Sequence, residues 1–361
     1  MIDWIIEKSI RNRFMVVVVT LMVVGGGAWS LLNTPIDAIP DLSDVQVIVY
    51  TEYPGQAPQV VEDQVTYPLT TAMLSVPHAK TVRGFSFFGV SMVYVIFEDG
   101  TDIYWARSRV LEYLNFVQSR LPRGVTPELG PDATGVGWVY MYTLTSDKHD
   151  LSQLRSMQDW YLRYELMALK GVSEVASVGG FVKQYQVEVD PEKLRAYGIP
   201  LSKVKKAIVR SNMEVGGRMI EMAETEYMVR GKGYFKSIDD LKVVPVGVDM
   251  KTHTPILLSQ VAEVHLGPEI RRGIAEMDGK GEVVSGIVVV RFGENALEDI
   301  DRVTNRLDEP QSGLPPAVKN IPSSDRAPPT LPAIDPHQAH LLHALSAVAL
   351  ISLLFLLHLH S

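Results

Sequence analysis

The sequence predicts an α+β protein: a membrane-spanning helix, two split β-α-β modules with a β-rich insertion in the second, and a second membrane helix near the C-terminus. Three observations predict this fold class. Residues 14–32 contain no charged side chain. Strand-type runs and amphipathic helical stripes then follow one another in the same order twice. A Gly-rich, strand-rich segment, residues 213–271, interrupts the second copy.

The N-terminal apolar segment, FMVVVVTLMVVGGGAWSLL, is about as long as an α-helix that crosses the ~30 Å hydrocarbon core. Lys8, Arg11 and Arg13 precede it, and such cations usually stay on the cytoplasmic side, so we expect Asn33 and the residues after it outside. A cleaved signal peptide is the competing interpretation. Its apolar part is typically only ~7–15 residues long and ends in an A-x-A-like site, which is not evident here.

The first module has the order β-α-β-β-α. A strand is predicted at residues 45–50, then a helix that Pro68 bends near Tyr67, then strands at residues 81–87 and 90–97. Asp102 is expected to cap the second helix. The apolar stripe of the first helix consists of Val61, Val65, Leu69 and Met73. The apolar face of the second helix consists of Ile103, Ala106, Val110, Leu114, Val117 and Leu121.

The second module begins after the Gly130-Pro131 break and repeats this order. The predicted strands cover residues 138–145, 172–178, 184–189 and 283–292. Its last helix is predicted at residues 296–307. Its first helix is predicted to bury one face made of Leu154, Met157, Tyr161, Tyr164 and Ala168.

The composition excludes several classes of function. The net charge of -8 leaves no basic surface for a nucleic-acid backbone, so we expect no nucleic-acid partner. The chain has no cysteine, which excludes disulfides, thiolate metal sites and a cysteine nucleophile. No G-x-S-x-G, H-E-x-x-H, Walker or dinucleotide pattern is present, so we predict neither an enzyme nor a bound cofactor.

Three methionines of the insertion, Met219, Met222 and Met228, are the candidate metal ligands, because thioethers suit Cu(I) and Ag(I). Methionine is also a flexible core filler, and packing is the explanation that we expect for them. Met73 and Met157 lie on apolar stripes and are expected in the core. The nearby acids Glu221, Glu224 and Glu226 fit either a cation funnel or an exposed polar face. The isolated histidines, expected at the surface, are His78, His149, His253 and His265.

Long runs of the sequence resemble the heavy-metal branch of the resistance-nodulation-division (RND) transporters, in wording closer to the copper/silver type than to the cobalt/zinc/cadmium type. The runs are TPIDAIPDL (34–42), YPGQAP (53–58), VTYPLTTAMLSVP (65–77), TVRGFS (81–86), VIFEDGTDIYWARSRVLEYLN (95–115), LGPDATGVGW (129–138), EVASVGG (174–180) and GPEIRRGIAEMDG (267–279). Ile270 stands where some copper-type relatives are expected to have Met.

The resemblance implies a proton-driven efflux pump that takes Cu(I) or Ag(I) from the periplasm. It implies a homotrimer in the bacterial inner membrane, with membrane lipid, a periplasmic adaptor protein and an outer-membrane channel as partners. The modules would then be ferredoxin-like porter subdomains, and the insertion a docking subdomain that contacts neighbouring protomers or the channel. The implied divisions are an N-terminus and first membrane helix (1–33), a first porter subdomain (34–128), a second (129–180 and 272–325) and the docking subdomain (181–271).

The likeness weakens before the second apolar segment. Residues 326–340 are rich in proline, where relatives should have a helix that leads into the membrane. Residues 341–359 are apolar except for His343 and His358 and are the second membrane-helix candidate. The resemblance thus covers only the N-terminal part of a pump. We expect a truncated or frameshifted product that, by itself, does not export metal. The alternatives are a short variant with a Pro-rich linker, or a membrane-anchored periplasmic interaction module. A multidrug exporter is disfavoured because aromatic residues are only 8%.

Overall fold

The computed structural model describes residues 4, 8–9, 11–33, 41–222, 224–250, 252–271, 273–309, 313–327, 340 and 343–351. These residues belong to two compact units. Unit 1 is drawn from Met1–His149, Met157–Val178 and Ala275–Ser361, and unit 2 from Asp150–Ser156 and Gly179–Ile274.

The α-helices are α1 (Arg13–Asn33), α2 (Pro58–Val61), α3 (Tyr67–Met73), α4 (Ile103–Val117), α5 (Leu151–Met157), α6 (Arg163–Met167), α7 (Pro191–Ala196), α8 (Leu201–Ser211), α9 (Ile238–Lys242), α10 (Leu258–Val261) and α11 (Ala296–Asp308). The strands are β1 (Gln46–Glu52), β2 (Ala79–Phe87), β3 (Val90–Phe97), β4 (Pro127–Leu129), β5 (Trp138–Ser146), β6 (Val172–Gly179), β7 (Lys183–Val189), β8 (Val215–Met222), β9 (Thr225–Gly231), β10 (Pro245–Val248), β11 (Pro255–Leu257), β12 (Ala262–Pro268), β13 (Val284–Val290) and β14 (Val318–Asp325).

The first sheet of unit 1 has the order β2-β3-β1-β4. Alternate residues of β1 and β3, such as Val47, Val49 and Val93, enter one core with the helices that follow them. Both helical stripes predicted for this module are buried, so these predictions are confirmed. The predicted cap is confirmed as well, because the Asp102 side chain accepts a hydrogen bond from the Trp105 backbone N–H at 2.7 Å.

A π-helical turn, Glu62–Thr66, separates α2 from α3. The Tyr67 N–H donates to the Glu62 carbonyl, five residues back, in place of the α-helical partner four residues back. The next residue, Pro68, has no N–H to donate. The sequence predicted an irregularity near Tyr67, and the structure places it in the turn just before that residue.

The second sheet of unit 1 has the order β14-β5-β13-β6. When read from β6, it repeats the first sheet, with β6, β13, β5 and β14 standing for β2, β3, β1 and β4. The connection between β2 and β3 is a tight turn at Phe88 and Gly89, whereas the connection between β6 and β13 contains most of unit 2. The insertion therefore interrupts one hairpin of a repeated module.

The two sheets also share a buried polar pair at one position. Thr51 of β1 lies opposite Ser91 of β3 in the first sheet, and Thr143 of β5 lies opposite Ser285 of β13 in the second. The hydroxyls of Thr143 and Ser285 are 3.0 Å apart, and the Ser91 hydroxyl is 2.8 Å from that of Thr66. Each sheet thus buries a Thr–Ser pair at the equivalent position, and a hydroxyl of each pair has a hydrogen-bond partner.

The first helix of the second module buries a different face from the predicted one. Its fully buried positions include Gln158, Leu162 and Leu166, whereas Tyr164 is 59% exposed. A π-helical turn, Gln158–Leu162, lies between α5 and α6 and rotates the residues after it. Ala168 is likewise exposed, and Met157 and Tyr161 are half-buried. The predicted face was therefore wrong for all its members except Leu154.

Unit 2 contains three two-stranded ladders, β7 with β12, β10 with β11, and β8 with β9, in the residues that the structure describes. Its core gathers residues from α8, α9, α10 and the first two ladders, with Val204, Leu241 and Val261 among the most buried. All residues of β9 are exposed, so the β8–β9 hairpin lies outside this core.

The structure confirms mixed sheets and helices and an apolar N-terminal helix. It does not reach most of the predicted C-terminal features. Residues 328–339 and 352–361 lie outside the described part, so the Pro-rich segment and the second membrane helix remain predictions. The described residues 343–351 are helical.

Candidate functional site

The β8–β9 hairpin brings two of the three candidate methionines together. Met219 lies directly opposite Met228, and Glu221 lies directly opposite Glu226. Because residues two apart on a strand face the same side, these four side chains form one surface, here called the methionine face. Met222 pairs with Thr225 on the opposite face of the hairpin.

The three methionines are exposed, with 60% exposure for Met219, 79% for Met228 and 60% for Met222. The packing explanation expected from the sequence is therefore wrong for this chain. The core methionine prediction holds for Met73, which is fully buried. The exposure of the hairpin leaves its thioethers accessible to a ligand or to another protein surface.

The charges of the hairpin are distributed unevenly. Arg230 forms an ion pair with Glu214 at the base of the hairpin, where the Arg230 Nε is 2.9 Å from a Glu214 carboxylate oxygen. Among the described side chains, Glu221 and Glu226 have no ion-pair partner. Glu224 lies in the turn with φ at 62°. The methionine face therefore carries two carboxylates beside two thioethers, and none of the described side chains forms an ion pair with either carboxylate.

The described histidines take no part in a cluster of metal ligands. The described residues contain no group of three or more His, Asp or Glu side chains that could hold a metal ion. His78 pairs with Glu98 at 3.1 Å and meets the Trp105 ring edge-on at 5.4 Å. His265 lies 3.7 Å from Glu188. Exposure of the His78 side chain, at 57%, agrees with the predicted surface position.

An open pocket of about 380 Å³ lies beside His78. Its lining includes the acids Glu98, Asp99 and Asp102 together with Trp105. The Asp102 carboxylate already caps α4, so it is committed to the backbone. The pocket is an acidic surface depression at the start of α4.

A polar junction, which the sequence did not predict, joins the two modules within unit 1. Asp132 accepts a hydrogen bond from the Ser173 hydroxyl and lies 3.7 Å from the Arg291 guanidinium. Burial disfavours the charged Asp132, but the Ser173 hydrogen bond and the nearby Arg291 and Arg107 outweigh it and lower the pKa of the carboxyl. Arg107 of α4 also donates to the Gly130 carbonyl at 2.7 Å. The junction therefore ties α4 of the first module to the segment between β4 and β5.

Helix α1 is the described helix that is long and apolar enough to cross a membrane. None of its 18-residue apolar window is buried against the rest of the described protein. An apolar surface of this size in water would be a strong driving force for association, and a lipid bilayer removes it from water. The helix therefore agrees with the predicted anchor.

The chain matches the model of the AcrB/AcrD/AcrF family over residues 5–361. It belongs to this family. The match confirms the predicted relationship to the RND transporters.

Within the AcrB/AcrD/AcrF family, the chain is similar to proteins named for cation efflux. It is 59% identical over 329 residues to the cation efflux system protein CusA of Escherichia coli (strain K12) and 58% identical to the putative cation efflux system protein SilA of Salmonella typhimurium. The identity to the cobalt-zinc-cadmium resistance protein CzcA of Cupriavidus metallidurans is 36%. The names describe transport and not catalysis, as predicted.

The solved structure of a heavy metal efflux pump, crystal form II, matches with a TM-score of 0.79 at 32% identity. The match covers 90% of this chain and 32% of that structure. The alignment to CusA likewise covers 91% of this chain and 31% of CusA. The chain thus spans about a third of the length of the family members that it matches.

Proposed function

We propose that the chain is the N-terminal part of a proton-driven heavy-metal efflux pump that exports Cu(I) or Ag(I) from the periplasm through an adaptor and an outer-membrane channel. The observation that carries this proposal is the 59% identity to a cation efflux protein over 91% of the chain, against 36% to the cobalt-zinc-cadmium protein. The exposed methionine face supports the choice of a soft ion.

In this proposal α1 anchors a multi-pass protein in the bacterial inner membrane, with residues 341–359 as the next span, and the whole pump is a homotrimer. The sheet β2-β3-β1-β4 belongs to the first porter subdomain (34–128), and the sheet β14-β5-β13-β6 to the second (129–180 and 272–325). The docking subdomain (181–271) presents the hairpin to neighbouring protomers or to the channel, which accounts for its exposure.

A chimera tests the proposed function. The segment of E. coli CusA that aligns with this chain is replaced by this chain, and the hybrid is expressed in a strain that lacks its own copper efflux pump. Because the aligned residues are 59% identical, we expect the hybrid to restore copper and silver tolerance. Growth across a range of copper and silver concentrations is the measurement.

The matched control is the chain expressed alone, which we expect to restore no tolerance. Proton coupling requires ionisable groups within membrane helices, and α1 contains no acidic residue. A stable, membrane-inserted hybrid that restores cobalt or zinc tolerance, and not copper tolerance, would refute the choice of ion. Tolerance conferred by the chain alone would refute the proposal that it is one part of a pump.

The topology predicts an active alkaline phosphatase fusion after Asp147. This residue is exposed in the loop that follows β5, so the fusion interrupts no strand. With Lys8, Arg11 and Arg13 held in the cytoplasm, the loop lies in the periplasm, where the phosphatase is active. A fusion after Asn12 is the inactive control. An inactive Asp147 fusion together with an active cytoplasmic reporter at the same site would reverse the orientation.

A further inference from the structure

We propose that a groove at the N-terminal end of α1 binds one anionic phospholipid, with the headgroup phosphate at Lys8 and an acyl chain along Met15 and Val19. This groove, here called the N-terminal groove, is open and has a volume of about 440 Å³. The inference goes beyond the proposed function, because it depends neither on the transported ion nor on the rest of a pump.

The helical path continues on the N-terminal side of α1. The Asn12 N–H donates to the Lys8 carbonyl at 3.0 Å, and the Val16 N–H donates to the Asn12 carbonyl at 3.2 Å. Both bonds join residues four apart, as in an α-helix. Because residues three and four apart share one face of a helix, Lys8 lies in line with Asn12, Met15 and Val19.

The lining of the N-terminal groove changes from polar to apolar along the helix. The polar lining residues, all hydrogen-bond donors, are Lys8, Ser9 and Asn12. The apolar lining residues are Met15, Val16 and Val19. At a rise of 1.5 Å per residue, Lys8 and Val19 are roughly 16 Å apart along the axis, about half of the ~30 Å hydrocarbon core. The groove therefore matches one phospholipid of one leaflet, with its phosphate at the polar end.

The charge at the polar end favours an anion. The Lys8 ammonium lies over the Trp4 ring, 5.7 Å from its centroid, and forms no ion pair with the described side chains. A cation–π contact holds the ammonium in place without neutralising it. Residues 1–13 contain three cations and two acids. Tryptophan is common at the level of the headgroups, and anionic lipids attract juxtamembrane cations. An anionic headgroup therefore fits this end better than a zwitterionic one.

The small residues of α1 lie outside the N-terminal groove. Close packing between membrane helices uses small residues, which in α1 are Gly25, Gly26 and Gly27. A Cβ atom at any of these glycines would meet nothing within 4 Å. Gly25 lies six residues beyond Val19, roughly 9 Å further along the helix axis. We therefore expect neighbouring membrane helices at the glycines and lipid at the groove.

Arg11 provides a matched control for Lys8. It belongs to the same cationic segment, but it does not line the groove. A general attraction between this segment and anionic lipid would make the two side chains equivalent. The proposal instead predicts that binding of the lipid depends on Lys8 and not on Arg11.

The first test measures lipid binding by native mass spectrometry of the full-length chain in detergent. Dioleoyl-phosphatidylglycerol and dioleoyl-phosphatidylcholine have the same acyl chains and differ in net charge. We expect one phosphatidylglycerol to bind about tenfold more tightly than phosphatidylcholine. Lys8→Gln should weaken phosphatidylglycerol binding by about fivefold, and Arg11→Gln by less than about twofold. Equal binding of the two lipids, or equal losses in the two variants, would overturn the proposal.

The second test blocks the apolar end. Val19→Trp should weaken phosphatidylglycerol binding by about tenfold, because the bulky ring takes the place of the acyl chain. Val17→Trp is the control, since Val17 does not line the groove and lies on nearly the opposite face of the helix. Both variants keep an apolar side chain, so both should insert into membranes with the helix content of the wild type. Equal affinity in the two variants would show that the groove does not hold the lipid.

A third measurement separates a lipid from a free phosphate. Glycerol 3-phosphate also carries a phosphate ester, but it has no acyl chain. In excess it should not displace phosphatidylglycerol, because it makes no contact with Met15 or Val19. Displacement by glycerol 3-phosphate would indicate a site for small anions and would refute the binding of a lipid.

Discussion

Replacement of Gly171 by alanine is expected to lower the free energy of unfolding by about 2–5 kcal/mol. Gly171 has φ at +88°, a region that strains residues with a Cβ atom. A Cβ at this position would also overlap the Asp299 carboxylate. That carboxylate is fully buried and paired with Arg302, so a shift of Asp299 would disturb this ion pair.

Gly124→Ala is the matched control for this prediction. Gly124 has φ at +84°, nearly the same as Gly171, but a Cβ there would meet nothing within 4 Å. Gly124→Ala should lower the free energy of unfolding only through its strained backbone conformation, by about 1–2 kcal/mol. Denaturant unfolding of both variants, followed by circular dichroism, gives the difference. If both variants lose the same free energy of unfolding, the Asp299 carboxylate does not oppose a Cβ atom at residue 171.

Replacement of Tyr142 by alanine is expected to lower the free energy of unfolding by about 3–5 kcal/mol, because it leaves a cavity in place of a fully buried aromatic ring. Tyr142 is 0% exposed, and its ring lies against Gly286 of the neighbouring strand. Its hydroxyl donates to the Gln158 Oε1 at 2.8 Å. Burial raises the pKa of Tyr142 above its usual value, so the phenol remains protonated and continues to donate.

Tyr142→Phe separates the hydroxyl from the ring. It keeps the packing but leaves the Gln158 side chain without its donor, so we expect a cost of about 1–3 kcal/mol. The same unfolding experiment measures both variants. The prediction is contradicted if Tyr142→Phe costs as much as Tyr142→Ala, since the loss would then arise from the hydrogen bond alone.

Gln158 also shows where sequence patterns stop predicting this fold. The stripe Val61, Val65, Leu69 and Met73 was predicted correctly because its apolar residues recur every four positions, although the buried Thr66 lies in the same segment. In the corresponding helix of the second module, the buried positions include the polar Gln158, whereas the apolar Met157 and the aromatic Tyr164 are not fully buried. Tyr142 was the one indication of a buried polar residue, since a buried phenol requires a hydrogen-bond partner. Which residue is that partner depends on a contact between separate elements.

The candidate site was predictable in part. The sequence singled out Met219, Met222 and Met228 by residue type, but only the strand register separates Met222 from the other two. Alternation along β8 is enough to place residues 219 and 221 on one face. It does not tell which residues of β9 lie opposite them, because a register shift lies between Gly216 and Met219. The Asp132 junction depends on residues distant in sequence, which no local pattern relates.

The insertion within the second hairpin has a consequence for the order in which the protein forms during synthesis. The first sheet can close as soon as β4 has left the ribosome, since all its strands are consecutive. In the second sheet β5 and β6 must wait for β13 and β14 until the whole of unit 2 has been made. Long loop closure slows such pairing, so the unpaired edges of β5 and β6 remain open to chaperones or to wrong partners for longer.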